Sequence, residues 1–371
     1  MTGEFHLGVA LDGYGWHPQA WRATLAQAPR HPGTPSVLSG RYWVELAATA
    51  ERGLLDFLTI DDTLMPQPGR GERIDPRRLA GRADAALVAA RIAPVTRHIG
   101  LIPVATLTHT EPFHVSKSIA TLDYVSHGRA GWQPRVSVTT HEAALIGRRD
   151  GSQIPLFQEA LEYVEVVRRL WDSWEDDAVI RDVTTGRYVD VDKLHYIDFT
   201  GKYFSVKGPS ITPRPPQGQP VVAALAHAGP VYEFAAASAD VVFITPTDGA
   251  AVASILDEVY AAGGSGLKIF ADVVVSFEGG DFLGDFRSDA LVFASSATEL
   301  VDMLLDWQRR GIDGARLRPA VNATDLPVIV DQVVPLLQRA GRFRTDYRDG
   351  ETLRARLRLP VAPNRYAAVN Q

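Results

Sequence analysis

Apolar residues concentrate in eight short runs along the chain, and segments with helical spacing lie between consecutive runs. The runs cover residues 5–11, 57–60, 99–105, 129–136, 220–225, 240–245, 268–277 and 314–319. Strands that alternate with helices form parallel sheets, and eight strand–helix units close into a barrel. The pattern therefore predicts an α/β fold, a (β/α)8 TIM barrel, whose functional residues follow the carboxyl ends of the strands.

Three of the intervening segments carry helical signals. Apolar residues in 43–54 recur with the spacing of one helical face, and Gly53 stands near the expected end. Asp75 and Pro76 predict the start of the next helix, because a capping aspartate is often followed by a proline in the first turn. A third helix is predicted over 155–174.

Two stretches do not fit the repeating strand–helix pattern. Residues 175–218 are rich in Asp, Gly and Thr and end in a proline-rich segment, which predicts an insertion with β-hairpin character between strands four and five. Residues 278–295 form a shorter, Gly- and Asp-containing insertion after strand seven. The sequence shows no internal repeat, and it predicts one domain over 1–371 with insertions after strands four and seven.

Composition excludes several classes of function. The chain has 371 residues, 46% of them hydrophobic, yet no run reaches the roughly 18 apolar residues of a membrane span. It contains no cysteine, which excludes disulfides and thiol nucleophiles. A net charge of −6 without a long basic run argues against binding nucleic acid. Because the first residues lack a basic secretory signal, we expect a cytoplasmic protein.

Polar residues after the predicted strands are the candidates for a site. Thr106, Thr108 and His109 follow strand three, where hydroxyl groups and an imidazole suit catalysis; alternatively, a threonine caps the next helix and His109 faces water. Gln133 and Arg135 follow strand four. Arg135 suits an anionic group, with a surface ion pair as the alternative.

The segment after strand five is a candidate phosphate site. His227, Ala228 and Gly229 precede Pro230 at a predicted helix start, where free N–H groups attract anions although Pro230 supplies none. The local motifs of zinc proteases, P-loop proteins and serine hydrolases are absent. No two histidines stand four residues apart on a helix, so no local metal-binding motif is predicted; a metal held by separate strand ends stays open as an alternative.

Longer motifs give the chain a resemblance to a known family. They include Gly-Arg-Ala-Gly-Trp at 128–132, Leu-Trp-Asp-Ser-Trp at 170–174 and Pro-Pro-Gln-Gly-Gln-Pro at 215–220. With these motifs the chain resembles the flavin-dependent monooxygenases of the bacterial luciferase-like superfamily. The most similar group contains the nitrilotriacetate, EDTA, dibenzothiophene-sulfone and pristinamycin-synthase oxygenases, and matching residues extend over nearly the whole chain.

The resemblance implies a two-component monooxygenase that oxidises a small organic substrate. A separate flavin reductase would supply reduced FMN, which reacts with O2 in the barrel to give a flavin (hydro)peroxide that attacks the substrate. Homodimers are usual in the superfamily, and an alanine-rich face within 83–93 permits one. Two alternatives stay open: a coenzyme F420-dependent oxidoreductase on the same barrel, and a flavin-binding protein without oxygenase activity.

The resemblance also assigns positions to FMN. Asp62 and Thr106 match flavin contacts of the family after strands two and three. Gln153 and Phe157 stand where the family usually has a His and a Tyr that contact FMN. Gln133 stands where the family usually has an Asn. The chain therefore departs from the family at three of these five positions.

The predicted phosphate loop departs further from the family pattern. The family's Gly and Ser after strand five are Ala226 and Ala228 here, followed by Gly229. Losing one hydrogen bond to a charged group costs roughly 1.5–3 kcal/mol if nothing replaces it. We therefore expect Arg135 or His227 to compensate. His109 and His227 are also the candidate catalytic residues.

Overall fold

The structure is a computed structural model that describes residues 4–26, 36–67, 73–147, 155–277, 283–284 and 286–367. Its central strands are β1 (His6–Leu11), β2 (Phe57–Ile60), β3 (Gly100–Thr106), β4 (Gly131–Arg135), β5 (Val221–Leu225), β6 (Val241–Ile244), β7 (Lys268–Val275) and β8 (Gly314–Pro319). Every predicted run overlaps one of these strands, with each boundary within two residues of the prediction. The eight predicted strands are confirmed.

The eight strands form a closed parallel ring. Each strand pairs in parallel with the next one along the chain. The last strand, β8, pairs in parallel with β1, where His6 lies opposite Gly314. This closure confirms the predicted (β/α)8 barrel and aligns the carboxyl ends of all eight strands at one mouth.

Helices surround the ring. They are α1 (Ala20–Ala26), α2 (Gly40–Arg52), α3 (Ala85–Ile92), α4 (Pro112–Val125), α5 (Thr140–Ile146), α6 (Leu156–Asp172), α7 (Gly229–Ser238), α8 (Gly249–Ala261), α9 (Ala297–Arg310), α10 (Asn322–Val328), α11 (Val334–Arg339) and α12 (Leu353–Arg356). A π-helical segment, Ile329–Val333, joins α10 to α11. The helices predicted over 43–54 and 155–174 are confirmed as α2 and α6. No helix in the described ranges has both the length and the apolarity to cross a membrane.

The prediction that a helix starts at Asp75 was wrong. The Asp75 carboxylate accepts hydrogen bonds from the backbone and the guanidinium of Arg77, at 2.9 and 3.0 Å, and so stabilises a turn. The next helix, α3, begins at Ala85, where the Asp84 carboxylate accepts a hydrogen bond from Leu87 N at 2.8 Å. Both aspartates bond to backbone two or three residues ahead, and only the second is followed by a continuous helix.

Additional strands lie outside the ring. Between α6 and β5, Val179–Asp182 pairs antiparallel with Arg187–Val189, and Phe199–Thr200 with Ser205–Val206. After β7, Leu291–Phe293 pairs in parallel with the last residues of β7, beyond the point where β6 ends. Residues 278–282 and 285 of the second predicted insertion lie outside the described residues.

The barrel interior is apolar at its amino end. Phe57, Ile102, Phe243 and Phe270 fill it, and Leu353 of α12 belongs to the same buried cluster. Large rings fit because small residues stand opposite them: a Cβ at Gly8 would lie 2.3 Å from the Phe57 ring. Toward the mouth the interior side chains become charged, and the candidate site begins there.

Candidate active site

Alternation along β2 decides which of two adjacent aspartates faces the interior. Phe57 belongs to the interior cluster, so Thr59 and Asp61 share its face. Thr59 lies within hydrogen-bonding distance of the Arg316 guanidinium, at 3.4 Å, and Asp61 lines a cavity at the mouth. Asp62 has the opposite parity and points toward the surrounding helices.

The mouth of the barrel contains a cavity of about 550 Å³. This volume lies within the roughly 300–1,000 Å³ typical of small-molecule sites. Its walls combine apolar residues with four arginines and three aspartates: Trp16, Val104, Gln133, Pro134, Val136, Leu225, His227, Phe286, Ser288, Arg78, Arg135, Arg287, Arg318, Asp12, Asp61 and Asp289. Arginines outnumber aspartates here although the whole chain has a net charge of −6. The cavity therefore favours an anionic ligand.

One side of the cavity is a chain of alternating charges. Arg82 lies 2.7 Å from Asp12 and 3.1 Å from Asp61, and so joins the ends of β1 and β2. Arg135 lies 3.7 Å from Asp61 and donates a hydrogen bond of 2.8 Å to the Asp62 carbonyl oxygen. Burial raises the pKa of Asp12, although the Arg82 charge opposes this effect. Arg135 is held in place by one bond and keeps further N–H donors for a ligand.

A second, buried charge cluster lies on β7 and β8, and β8 adjoins β1 in the ring. Arg318 donates to Asp272, and on its other edge Arg318 Nη1 donates to Asp289 Oδ1 at 2.7 Å. Its guanidinium lies over the Trp16 ring, 4.5 Å from the centroid. Burial alone would raise the pKa of Asp272, but the charges of Arg316 and Arg318 outweigh burial and lower it. The cluster is therefore ionised at neutral pH.

Gln133 belongs to the layer beneath this cluster. Its Oε1 accepts a hydrogen bond of 2.7 Å from Arg316, whose guanidinium lies 3.7 Å from the centroid of the Phe243 ring. Arg316 also donates to Asp272. Gln133 thus connects β4 to the charge cluster and contributes to the cavity floor.

His227 stands at the rim, immediately before α7. Its Nδ1 lies 3.0 Å from Thr245 Oγ1 and its Nε2 lies 3.3 Å from Asp289 Oδ2. Burial lowers the pKa of His227 and outweighs the opposite effect of Asp289. The imidazole is therefore neutral at neutral pH and can donate or accept a proton. Ala228 and Gly229 follow at the exposed start of α7, where a Cβ on Gly229 would meet open space.

Asp62 and Phe157 do not line this cavity. Asp62 accepts hydrogen bonds from Thr63 N and Ala85 N, at 2.7 and 3.0 Å, and so fixes the start of α3. Phe157 packs against Phe234 of α7, with ring centroids 6.1 Å apart. Gln153 lies outside the described residues.

Two predicted residues lie at or just after the end of β3. Thr106 is buried and stands opposite Arg135 in the pairing of β3 with β4. His109 is three residues further on, in a turn with a φ of 69°. The structure thus brings Gln133, Arg135 and His227 to the cavity wall, with Thr106 beside Arg135 in the sheet.

The cavity residues fit a flavin. A planar ring system needs apolar walls, which Val104, Pro134 and Leu225 supply, and its polar edge needs hydrogen-bonding groups such as those of Gln133. A phosphate needs cationic donors, and Arg135 is a lining residue with N–H groups to spare. The described residues contain no group of three or more His, Asp or Glu side chains that could hold a metal ion.

Sequence reasoning missed Arg318 and Asp289, and the family resemblance selected Asp62 rather than its neighbour Asp61. A signal for Arg318 exists, because Arg316 and Arg318 alternate within a strand whose residues are all buried. Charged residues at period two in such a strand share one face, which indicates a buried polar site. Nothing local marks Asp289, because its partner lies 29 residues away.

Comparison with known proteins gives a consistent result. The family described as luciferase-like monooxygenase matches residues 17–278. N-acetyl-S-(2-succino)cysteine monooxygenase of Bacillus subtilis (strain 168) is 30% identical, with 98% of each chain covered. Nitrilotriacetate monooxygenase component A of Aminobacter aminovorans is 36% identical over 80% of this chain and 66% of its own. The crystal structure of a long-chain alkane monooxygenase superposes with a TM-score of 0.84 at 23% identity and covers all of both chains.

Proposed function

This chain belongs to the luciferase-like monooxygenase family, and we propose that it is the oxygenase component of a two-component system. In this proposal a separate flavin reductase supplies reduced FMN, and the chain uses it with O2 to oxidise a small organic substrate. The relative named nitrilotriacetate monooxygenase component A supports the two-component arrangement. The observation that carries the proposal is the cavity of about 550 Å³ at the carboxyl ends of the strands, with apolar walls and an excess of arginine.

Bound reduced FMN supplies the electrons that reduce O2, so that one oxygen atom enters the substrate and the other leaves as water. The side chains therefore have to bind, orient and exclude water. Val104, Pro134 and Leu225 form apolar wall. Arg135 contributes cationic donors, and neutral His227 is placed to exchange a proton at its Nε2 or Nδ1 atom.

Phosphate binding is assigned to the side of the cavity that holds Arg135 and His227. Arg135 is the donor with spare N–H groups, and His227 stands at the start of α7, where Gly229 leaves the backbone open to approach. These groups offset the loss of the hydrogen bond that a serine would make to the phosphate at the position of Ala228. Asp62 takes a supporting role in this proposal, because its carboxylate is already bonded to backbone of the β2–α3 connection.

A coupled oxygen-uptake assay tests the proposed function. The purified chain is combined with a flavin reductase, NADH and FMN, and candidate substrates are added one at a time. We expect oxygen uptake above the reductase background that depends on substrate and on the chain. Hydride transfer with reduced F420 in the absence of O2, or FMN binding without any turnover, would contradict the proposal and support one of the two alternatives.

A homodimer is part of the same proposal. The alanine-rich face of α3 leaves room for the contact, since Ala90 is exposed and Ala86 is partly exposed. Leu87 belongs to this face, is 71% exposed and is a residue that a dimer would cover. Light scattering of wild type and Leu87→Glu tests this: we expect a dimer that the substitution converts to a monomer, and a monomeric wild type would contradict it.

A further inference from the structure

Arg318 has two different carboxylate partners on its two edges. On the inner edge, Nε donates to Asp272 Oδ2 at 2.9 Å. On the outer edge, Nη1 donates to Asp289 Oδ1 at 2.7 Å and Nη2 lies 3.4 Å from Asp289 Oδ2. The outer edge is thus a two-point fork that already holds a planar carboxylate.

The two partners differ in how firmly they are held. Asp272 is part of β7 and is fully buried, and its carboxylate also accepts a hydrogen bond from Arg316. Asp289 precedes the short strand Leu291–Phe293, and 43% of its side chain is exposed. Asp289 also lines the cavity, so its departure would turn the outer edge of Arg318 toward that space.

From this asymmetry we propose that the outer edge of Arg318 recognises a carboxylate of the substrate, and that Asp289 occupies this position when substrate is absent. The substrate is then a small organic carboxylate. The inference rests on the proposed function, because it assigns a substrate class to the same cavity.

The charges and donors around this edge favour a carboxylate. Without Asp289, the cluster of Arg316, Arg318 and Asp272 has one uncompensated positive charge, which a neutral substrate would leave buried. Two donors of Arg318, Nη1 and Nη2, converge on the two carboxylate oxygens of Asp289. Two carboxylate oxygens match this planar set, whereas the third oxygen of a phosphate would have no counterpart in it.

Calorimetric titration with succinate tests the proposal. Asp289→Asn removes the carboxylate charge that competes with the ligand for Arg318. We expect it to tighten succinate binding to the full chain at least tenfold relative to wild type. Asp331→Asn is the matched control, because it removes the same charge from an exposed pair with Arg52 that does not line the cavity. Succinamide, which has the same skeleton without charge, should not bind any of the three proteins.

The possible results separate this inference from the proposed function. Unchanged succinate affinity in Asp289→Asn, or an equal gain in Asp331→Asn, overturns the inference. Reduced FMN is titrated anaerobically into the same samples. If reduced FMN binds and the succinate gain is missing, the inference fails alone; if the gain is present and FMN does not bind, the proposed function fails alone. Competition between succinate and reduced FMN would assign the fork to the flavin phosphate and also overturn the inference.

A second substitution tests the role of Arg318 directly. Arg318→Gln in the Asp289→Asn background is expected to abolish the gain in succinate affinity and to leave reduced FMN binding within threefold. If Arg318→Gln does not fold, Trp16→Leu in the same background serves instead, since Trp16 covers the guanidinium face and its loss should lower succinate affinity. Retention of the full gain in the folded variant overturns the assignment to Arg318.

Discussion

Buried ion pairs occur at both ends of this barrel, but their outer partners differ in exposure. At the amino end, Asp56 receives hydrogen bonds from Leu7 N at 2.7 Å and Arg344 at 2.6 Å, and His6 lies 2.9 Å away. Side chains of these partners are at most 9% exposed. At the carboxyl end, the outer partner of Arg318 is Asp289, which is 43% exposed.

This difference separates stability from function. A carboxylate enclosed by strand, loop and tail residues holds distant parts of the chain together, since Arg344 lies 288 residues from Asp56. A buried arginine whose partner comes from an exposed segment can exchange that partner for a ligand. The barrel thus uses one arginine–aspartate pair for stability at its amino end and another arginine–aspartate pair for recognition at its mouth.

The largest expected effect is on stability at the amino end. Asp56→Ala leaves Arg344 and His6 without their carboxylate, and removing one partner of a buried pair costs about 3–5 kcal/mol. Urea denaturation should show this loss, with a smaller one in Asp289→Ala. Equal losses in the two variants would contradict the comparison.

Acidification should weaken the same contact. Burial alone would raise the pKa of Asp56, but Arg344 and His6 outweigh burial and hold the pKa well below its usual range. The contribution of Asp56 to stability is therefore fully present above the unfolded-state pKa of about 4 and is lost as the pH falls further. The difference in denaturation midpoint between wild type and Asp56→Ala should stay constant from pH 7 to about pH 5 and should narrow progressively below about pH 4.

The next largest effect is on flavin binding at the mouth. Arg135→Ala removes a charged donor, and we expect it to weaken reduced FMN binding by about 1.5–3 kcal/mol, or roughly ten- to hundredfold. Anaerobic titration measures this change. Arg358→Ala at the amino end, which pairs with Glu4, is the control and should leave the affinity unchanged. Equal affinities for wild type and Arg135→Ala would rule out this role for Arg135.

A smaller effect distinguishes the two adjacent aspartates. Asp62→Ala removes an acceptor for Ala85 N and should lower stability by about 0.5–2 kcal/mol, as loss of a helix cap does. Asp61→Ala should instead change ligand affinity, because its carboxylate lines the cavity. Denaturation and FMN titration of both variants test this division, and the reverse assignment of effects would refute it.

The smallest effect is a pH shift at His227. Its pKa is lowered by burial, and the nearby Asp289 carboxylate opposes that shift. Asp289→Asn should therefore lower the pKa of His227 further and keep the imidazole neutral to a more acidic pH. An NMR titration of the imidazole protons should show the midpoint moving down; an upward shift would contradict this account of the site.

The sequence predicted the barrel well and the cavity in part. Apolar runs such as 57–60 and 220–225 become strands because buried parallel strands are apolar on both faces. The family resemblance was confirmed by a match over residues 17–278. The start of α3 was wrong because Asp75 and Asp84 both fit a capping pattern, and only the tertiary contacts of Ala85 distinguish them.

Within the site, strand ends were predictable and side-chain direction was not. Choosing between Asp61 and Asp62 requires the inward parity of β2, which the position of Phe57 in the interior reveals. The Arg318–Asp289 pair joins a strand to an insertion, and no periodic pattern connects them. Long-range pairs of this kind depend on the closed fold rather than on local sequence.

A crystal structure of the chain with reduced FMN, prepared anaerobically, tests the central claim most directly. The account predicts the flavin in the cavity bounded by Asp61, Arg135 and His227 at the carboxyl ends of the strands. Flavin bound at the amino end of the barrel or on the outer helices, or a cavity left empty at saturating reduced FMN, would contradict it.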